Sequence, residues 1–226
     1  MKPTVILVHG AWHSGKGFAL LQSELQKIGI NSKTVELSSV GSPDESLGDL
    51  YSDADLLSSV IESTPGDCVV LGHSYGGLVI TEGALNIQKV KKMIFLTAFM
   101  LDAGETLYGA CGSVDPVWWN VASDKSRLTP DAPENIFYNT CTPEVAADAA
   151  NQLRTQSLPS FNQAITRVAW KTIPSAYIIC ESDNAIPLFA QEAMSTRATE
   201  VVRMKTDHSP FLSAPKELAG IINSLM

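Results

Sequence analysis

The chain has 226 residues, enough for one domain with a sizeable core and short for two. Sixteen Lys and Arg against twenty-four Asp and Glu leave a formal charge of −8, which repels phosphate backbones and anionic lipid surfaces and sets nucleic acid aside as a partner. With 45% apolar and 18% charged residues the composition is that of an ordinary globular protein, and no apolar run approaches the ~20 residues that cross a bilayer.

Residues 4–8 are a continuous run rich in β-branched side chains, as a strand buried on both faces should be. Preceded by Met1-Lys2-Pro3 they imitate a signal peptide faintly, but the apolar part falls short of the ~7–15 residues such signals use. A helix follows over residues 17–28, with Phe18, Leu21, Leu25 and Ile28 on one stripe and Gly29 as its stop. The second strand lies near 33–37. After a loop containing Gly, Ser and Pro, the residues Leu50, Ala54, Leu57 and Ile61 share a helix face, and Pro65-Gly66-Asp67 closes that unit as a turn. A third strand at 68–71, a third helix at about 75–86 and a fourth strand at 92–97 complete three strand-helix-strand units.

From 99 to 171 this rhythm breaks, and Pro116, Pro130, Pro133, Pro143 and Pro159 punctuate short helical stretches such as 144–153, which reads as an inserted cap. The alternation resumes with a strand at 176–180, a helix at 187–196, a strand at 200–204 and a terminal helix carrying Leu218, Ile221, Ile222 and Leu225. Ser213 is placed to cap that helix, with Pro215 in its first turn. Alternating strands and helices argue for a parallel sheet with helices on both faces. Residues 1–98 and 172–226 then form the core, and 99–171 the cap, of one structural domain.

Gly72-His73-Ser74-Tyr75-Gly76 is a G-x-S-x-G pattern between an apolar strand and an amphipathic helix, the context that a nucleophile elbow requires. The tight turn lifts a serine hydroxyl above the sheet, small flanking residues let the backbone bend, and the helix N-terminus faces the developing negative charge. Ser74 is therefore the candidate nucleophile. A serine hydroxyl needs a base, and His208 in Thr206-Asp207-His208-Ser209-Pro210 follows the last strand at the sheet's carboxyl edge. Among the other histidines, His73 should point away from Ser74, and His9 and His13 flank the first strand's end. Asp183, in the loop after strand 176–180, is the candidate acid that orients the imidazole. Asp102 is the alternative position, Glu181 reads as structural, and Asp207 is too close in sequence to fold back onto its neighbour. Oxyanion donors are expected from the N–H groups of Tyr75 and, in the loop His9-Gly10-Ala11-Trp12, of Ala11.

The segments Leu7-Val8-His9-Gly10-Ala11-Trp12-His13, Gly72-His73-Ser74-Tyr75-Gly76-Gly77, Leu96-Thr97-Ala98-Phe99-Met100, Asp183-Asn184-Ala185-Ile186-Pro187 and Asp207-His208-Ser209 stand in an order that resembles a known family. It comprises the α/β-hydrolases grouped with plant methylesterases, plant hydroxynitrile lyases and bacterial relatives that include pyrethroid-hydrolysing esterases. The resemblance covers nearly the whole chain. It implies the α/β-hydrolase fold with a six-stranded parallel sheet, a cap over the serine, and the same assignment of Ser74, Asp183, His208, Ala11 and Tyr75. It implies hydrolysis of carboxylic esters of small apolar or aromatic compounds through an acyl-enzyme. Trp12, Trp118, Trp119, Phe137 and Phe161 are the candidates for substrate contact; with Tyr138 and Trp170 the cap aromatics suit an apolar group or form the cap's own core. Lyase relatives carry a threonine at the position of Gly10 and a lysine at that of Ser209.

The cysteines, Cys68, Cys111, Cys141 and Cys180, have no C-x-x-C spacing, so neither a metal nor a redox motif is suggested and no cofactor is expected. Cytoplasmic residence with reduced thiols is the expectation; Cys68 and Cys180 read as core residues, and pairing of Cys111 with Cys141 stays open. A small-molecule ester is the expected partner, with no membrane, and a homodimer is compatible with the sequence. Two other classes compete. Gly10-Ala11-Trp12-His13-Ser14-Gly15-Lys16-Gly17 nearly spells a phosphate-binding loop, but Gly17 lacks the hydroxyl that would hold magnesium. A small-molecule receptor on the same fold is the other alternative.

Overall fold

Thr4–Val8 forms β1 in a computed structural model that describes residues 2–226. In chain order there follow α1 (Ala19–Lys27), β2 (Ser32–Val35), β3 (Val40–Gly41), α2 (Leu50–Ser63), β4 (Cys68–His73), α3 (Gly76–Gly83) and β5 (Val90–Leu96). The middle segment holds α4 (Leu107–Ala110), β6 (Trp119–Val121), β7 (Arg127–Pro130), α5 (Pro133–Phe137), α6 (Pro143–Ala150), β8 (Thr155–Ser157) and α7 (Pro159–Asn162). The chain closes with β9 (Ser175–Cys180), α8 (Leu188–Ser195), β10 (Glu200–Met204), α9 (Pro210–Ser213) and α10 (Pro215–Leu225).

Six strands make one parallel sheet in the order β10-β9-β5-β4-β1-β2. Because side chains alternate across a strand, β1 sends Val5 and Leu7 into one core with α1 and α10, and Ile6 and Val8 into another with α2 and α3. Both faces are thus covered, which explains the unbroken apolar runs of β1 and β4. The helix expected over 17–28 begins as a 3-10 turn at Gly15–Phe18 and continues as α1, ending where Gly29 takes a φ of 72°. Asp49 caps α2 by accepting from Ser52 N at 2.9 Å. Ser213, expected to cap the last helix, does not: it ends α9 and donates to Asp207 Oδ1 at 2.9 Å, and Ala214 occupies the cap position of α10.

A second, antiparallel sheet runs in the order β3-β8-β7-β6 and lies outside the alternating pattern. Its edge strand β3 comes from the loop between β2 and α2, so a segment before the serine pairs with one near the end of the middle region, Val40 opposite Gln156. Cys111 and Cys141 are both free thiols; burial raises the first to about 11 and the second to about 12. Among the described residues no helix is long and apolar enough to cross a membrane.

Candidate active site

The elbow at the end of β4 forces Ser74 to a φ of 53°, a left-handed conformation that costs a non-glycine residue ~1 kcal/mol or more. Close packing maintains it. A Cβ at Gly72 would meet Gly76 O at 2.5 Å, and one at Gly76 would meet Val8 O at 2.5 Å, so β1, the turn and α3 touch only because both positions are glycine. Phe99 N and Gly77 N donate to Ser74 O at 3.1 and 3.0 Å and tie the elbow to the end of β5 and to α3.

His208, carried by the loop after β10, directs Nδ1 to Asp183 Oδ2 at 2.7 Å. Asp183 leaves the end of β9 and is closely held: Ala185 N and Ile186 N donate to Oδ1 at 2.6 and 3.0 Å, and Thr97 Oγ1 and Gln191 Nε2 approach Oδ2. These donors occupy the carboxyl oxygens and fix the plane of the group. Thr97 and Gln191, which hold this carboxyl group, were not among the candidate residues in the sequence, although Thr97 lies in a segment quoted for the family resemblance. Asp102 sits apart, paired with Lys171. Asp207 turns away from the imidazole beside it and accepts from Thr140 N, Ser209 N and Ser213 Oγ.

The remaining histidines brace these loops as neutral rings. Leu37 N donates to His9 Nε2 at 3.1 Å, which leaves His9 Nδ1–H to donate to Gly10 O at 2.9 Å. His13 Nδ1 donates to Ala11 O at 2.7 Å and its Nε2 accepts from Tyr138 OH at 3.0 Å. His73 points away from Ser74 and donates to His208 O at 2.8 Å, its ring 4.6 Å from that of His208. Burial lowers the pKa of all three, that of His13 to about 3.

A cavity of about 40 Å3 brings Ser74, Tyr75, Ala11 and His208 together with Trp12, Trp118, Trp119, Phe137 and Phe161. Trp12 is the hub of the aromatic cluster, with Trp118, Phe137 and Phe161 at ring-centroid distances of 5.6, 5.6 and 5.8 Å. Tyr138 and Trp170 lie elsewhere, the first on His13 and the second donating to Leu101 O. His13 N donates to Gly10 O at 3.4 Å and closes a turn in which Trp12 takes a φ of 64°. Among the described residues neither Ala11 N nor Tyr75 N donates to any acceptor, so two backbone donors beside the serine stay free. A Cβ at Gly10 would stand 2.8 Å from Ser74 Cβ and 2.9 Å from His73 Nδ1, so that position must lack a side chain as the loop is built.

Residues 5–221 match the model of the alpha/beta hydrolase family. The chain is 28% identical to alpha/beta hydrolase nvfD of Aspergillus novofumigatus over 99% of its own length and 96% of the relative's. It is 27% identical to methylesterase 1 of Arabidopsis thaliana over 96% of itself and 94% of that protein. The crystal structure of a pyrethroid hydrolase from Sphingobium faniae superposes with a TM-score of 0.86 at 23% identity, covering 99% of this chain and 96% of that one, a likeness of fold. The chain belongs to the alpha/beta hydrolase family.

Proposed function

We propose that this hydrolase is a serine esterase acting on carboxylic esters of small apolar or aromatic compounds. The observation that carries the reading is the convergence, in one aromatic-lined cavity, of a left-handed Ser74, a His208 held by Asp183, and two unclaimed N–H groups. His208 Nε2 takes the Ser74 proton as Oγ attacks the ester carbonyl, and Ala11 N–H and Tyr75 N–H receive the oxyanion. Collapse of the tetrahedral intermediate expels the alcohol, protonated by His208, and leaves an acyl group on Ser74. Water activated by the same imidazole then releases the acid and restores the serine.

The small cavity and its aromatic walls favour a short or flat apolar acyl group, and the methylesterase name of one relative supports ester chemistry. Ester cleavage is favoured over cyanohydrin cleavage because Gly10 leaves no room for a side chain against Ser74, and Ser209 brings no cation to receive a departing cyanide. Sustained turnover of p-nitrophenyl acetate or butyrate, lost in Ser74→Ala together with fluorophosphonate labelling, is the expected result. The loss in kcat should be about 10⁴–10⁶. A single stoichiometric burst would indicate a receptor, and Ser74-dependent benzaldehyde release from mandelonitrile a lyase.

A further inference from the structure

Asp53 lies on α2, fully buried, on a helix face that otherwise carries Leu50, Ala54, Leu57 and Ile61. Four donors converge on it: Ser38 Oγ at 2.9 Å and Ser39 N at 3.0 Å on Oδ1, Ser39 Oγ at 2.5 Å and Tyr75 OH at 2.9 Å on Oδ2. A carboxylate here only accepts, so Ser39 commits its single hydroxyl proton to Asp53 and its oxygen can only accept in turn. Gln156 Nε2, on β8, donates to Ser39 Oγ at 3.0 Å. The same amide nitrogen donates to Ser160 Oγ at 2.8 Å, whose own proton goes to Ser157 O at 2.6 Å. With both amide protons assigned, Gln156 must present Oε1 to the other side, where Trp12 N donates at 3.4 Å. Ser39, Gln156, Ser160 and Tyr75 are all fully buried. Water competes little for these bonds in a low dielectric, and the chain runs with one polarity from Trp12 N to Asp53, on which Tyr75 OH converges from the other side.

The two ends of this chain are Tyr75 and the peptide that follows Ala11. These are the two residues whose N–H groups flank Ser74. We propose that Asp53, Ser39 and Gln156 are positioning residues that set the spacing and aim of the two oxyanion donors, holding the nucleophile turn and the β1 loop in one register. The proposal rests on the esterase reading, because only a reaction that develops an oxyanion makes use of that register. Asp53 supplies the polarity: it orients Ser39, Ser39 orients the amide of Gln156, and the amide oxygen holds the Ala11–Trp12 turn. A network serving only to satisfy buried polar groups would affect stability when cut, and would not discriminate between a bound product and a transition-state analogue.

The test uses Gln156→Leu, Ser39→Ala and Tyr75→Phe in the full chain, with p-nitrophenyl butyrate as substrate, phenylboronic acid as the tetrahedral analogue and butyrate as the ground-state ligand. Outright loss of one oxyanion donor costs about 10²–10³ in kcat, so misplacing one should cost about 10–100-fold. KM and butyrate affinity should change by less than about threefold, while boronate affinity weakens in parallel with kcat. The pair Gln156→Leu with Ser39→Ala should lose little more than the worse single variant, because both cut one chain. Folded variants with the kcat of wild type, or with equal losses for butyrate and boronate, overturn the proposal. Should Gln156→Leu fail to fold by circular dichroism, Tyr75→Phe, which removes one hydroxyl and keeps the ring, decides the question by the same readouts. Should the wild-type chain turn over no ester, the esterase reading fails by itself. The rate of fluorophosphonate labelling of Ser74 then judges the network: slower labelling in the variants supports it and equal rates refute it.

Discussion

Asp183 and Asp102, the two carboxylates considered for the acid, lie in contrasting environments. Asp183 is buried, faces His208 at 2.7 Å and has its remaining lone pairs filled by backbone and side-chain donors, whereas Asp102 is spent on Lys171 at the surface. Asp183→Asn should therefore stay folded and lose about 10⁴ in kcat, and Asp102→Asn should keep near-wild-type rates. A steady-state assay of both variants checks the assignment, and a crippled Asp102→Asn would reverse it. Thr97 makes a subtler case. It sits at the end of β5 with a φ of 36° and donates to Asp183 Oδ2, so Thr97→Val removes one bond from the acid while keeping the shape of the side chain. A kcat lower by about tenfold, consistent with one lost bond of roughly 1.5 kcal/mol to a charged group, is expected. A variant unchanged in kcat would show that the other donors suffice.

At the scale of elements, the six main strands and the long helices were legible because each combines length with a clear apolar period. β1, β4 and β9 are buried on both faces, and α2 and α10 carry one apolar stripe each. The second sheet was not legible. Its strands are two to four residues long, too short for an alternation to declare itself, and β3 finds its partner more than a hundred residues away. Ser213 misled for a related reason: a Ser two residues before Pro215 is a good cap locally, but Asp207 captured its hydroxyl. The candidate site was legible where a motif fixes backbone geometry, as at Ser74, and illegible where distant side chains converge, as Gln156 and Asp53 do. Phe137, at the end of α5, joins the middle segment to the loops after β1 and β10, with Trp12 at 5.6 Å, Trp118 at 5.5 Å and His208 at 5.5 Å. Phe137→Ala should lower unfolding free energy by about 3–5 kcal/mol, as truncation of a buried aromatic does. Urea unfolding measures it, and a loss below about 1 kcal/mol would mean that the middle segment closes over the gap.

For the whole molecule, the three bracing histidines set a limit on acid stability. Each is a buried neutral ring with at least one nitrogen bonded to the loops around the serine, and burial lowers the pKa of each from the ordinary 6.5, that of His13 to about 3. The unfolded chain regains the ordinary value, so between 6.5 and about 3 it binds protons that the native state refuses. Stability must then fall as pH falls: it is level above ~6.5, drops through the interval and flattens below the native pKa. At ~1.4 kcal/mol for each tenfold change in proton affinity, His13 alone withdraws several kcal/mol across that window. Asp53 acts with the opposite sign, since burial raises its pKa above the ordinary carboxylate value and the native state takes up its proton before the unfolded chain does. Three buried rings oppose this one carboxylate, so the histidines set the sign as pH falls below 6.5. The melting temperature should decline over this interval, and His13→Gln, which cannot charge, should decline less steeply. A melting temperature flat from pH 7 to 5 would show that the buried rings find protons without unfolding.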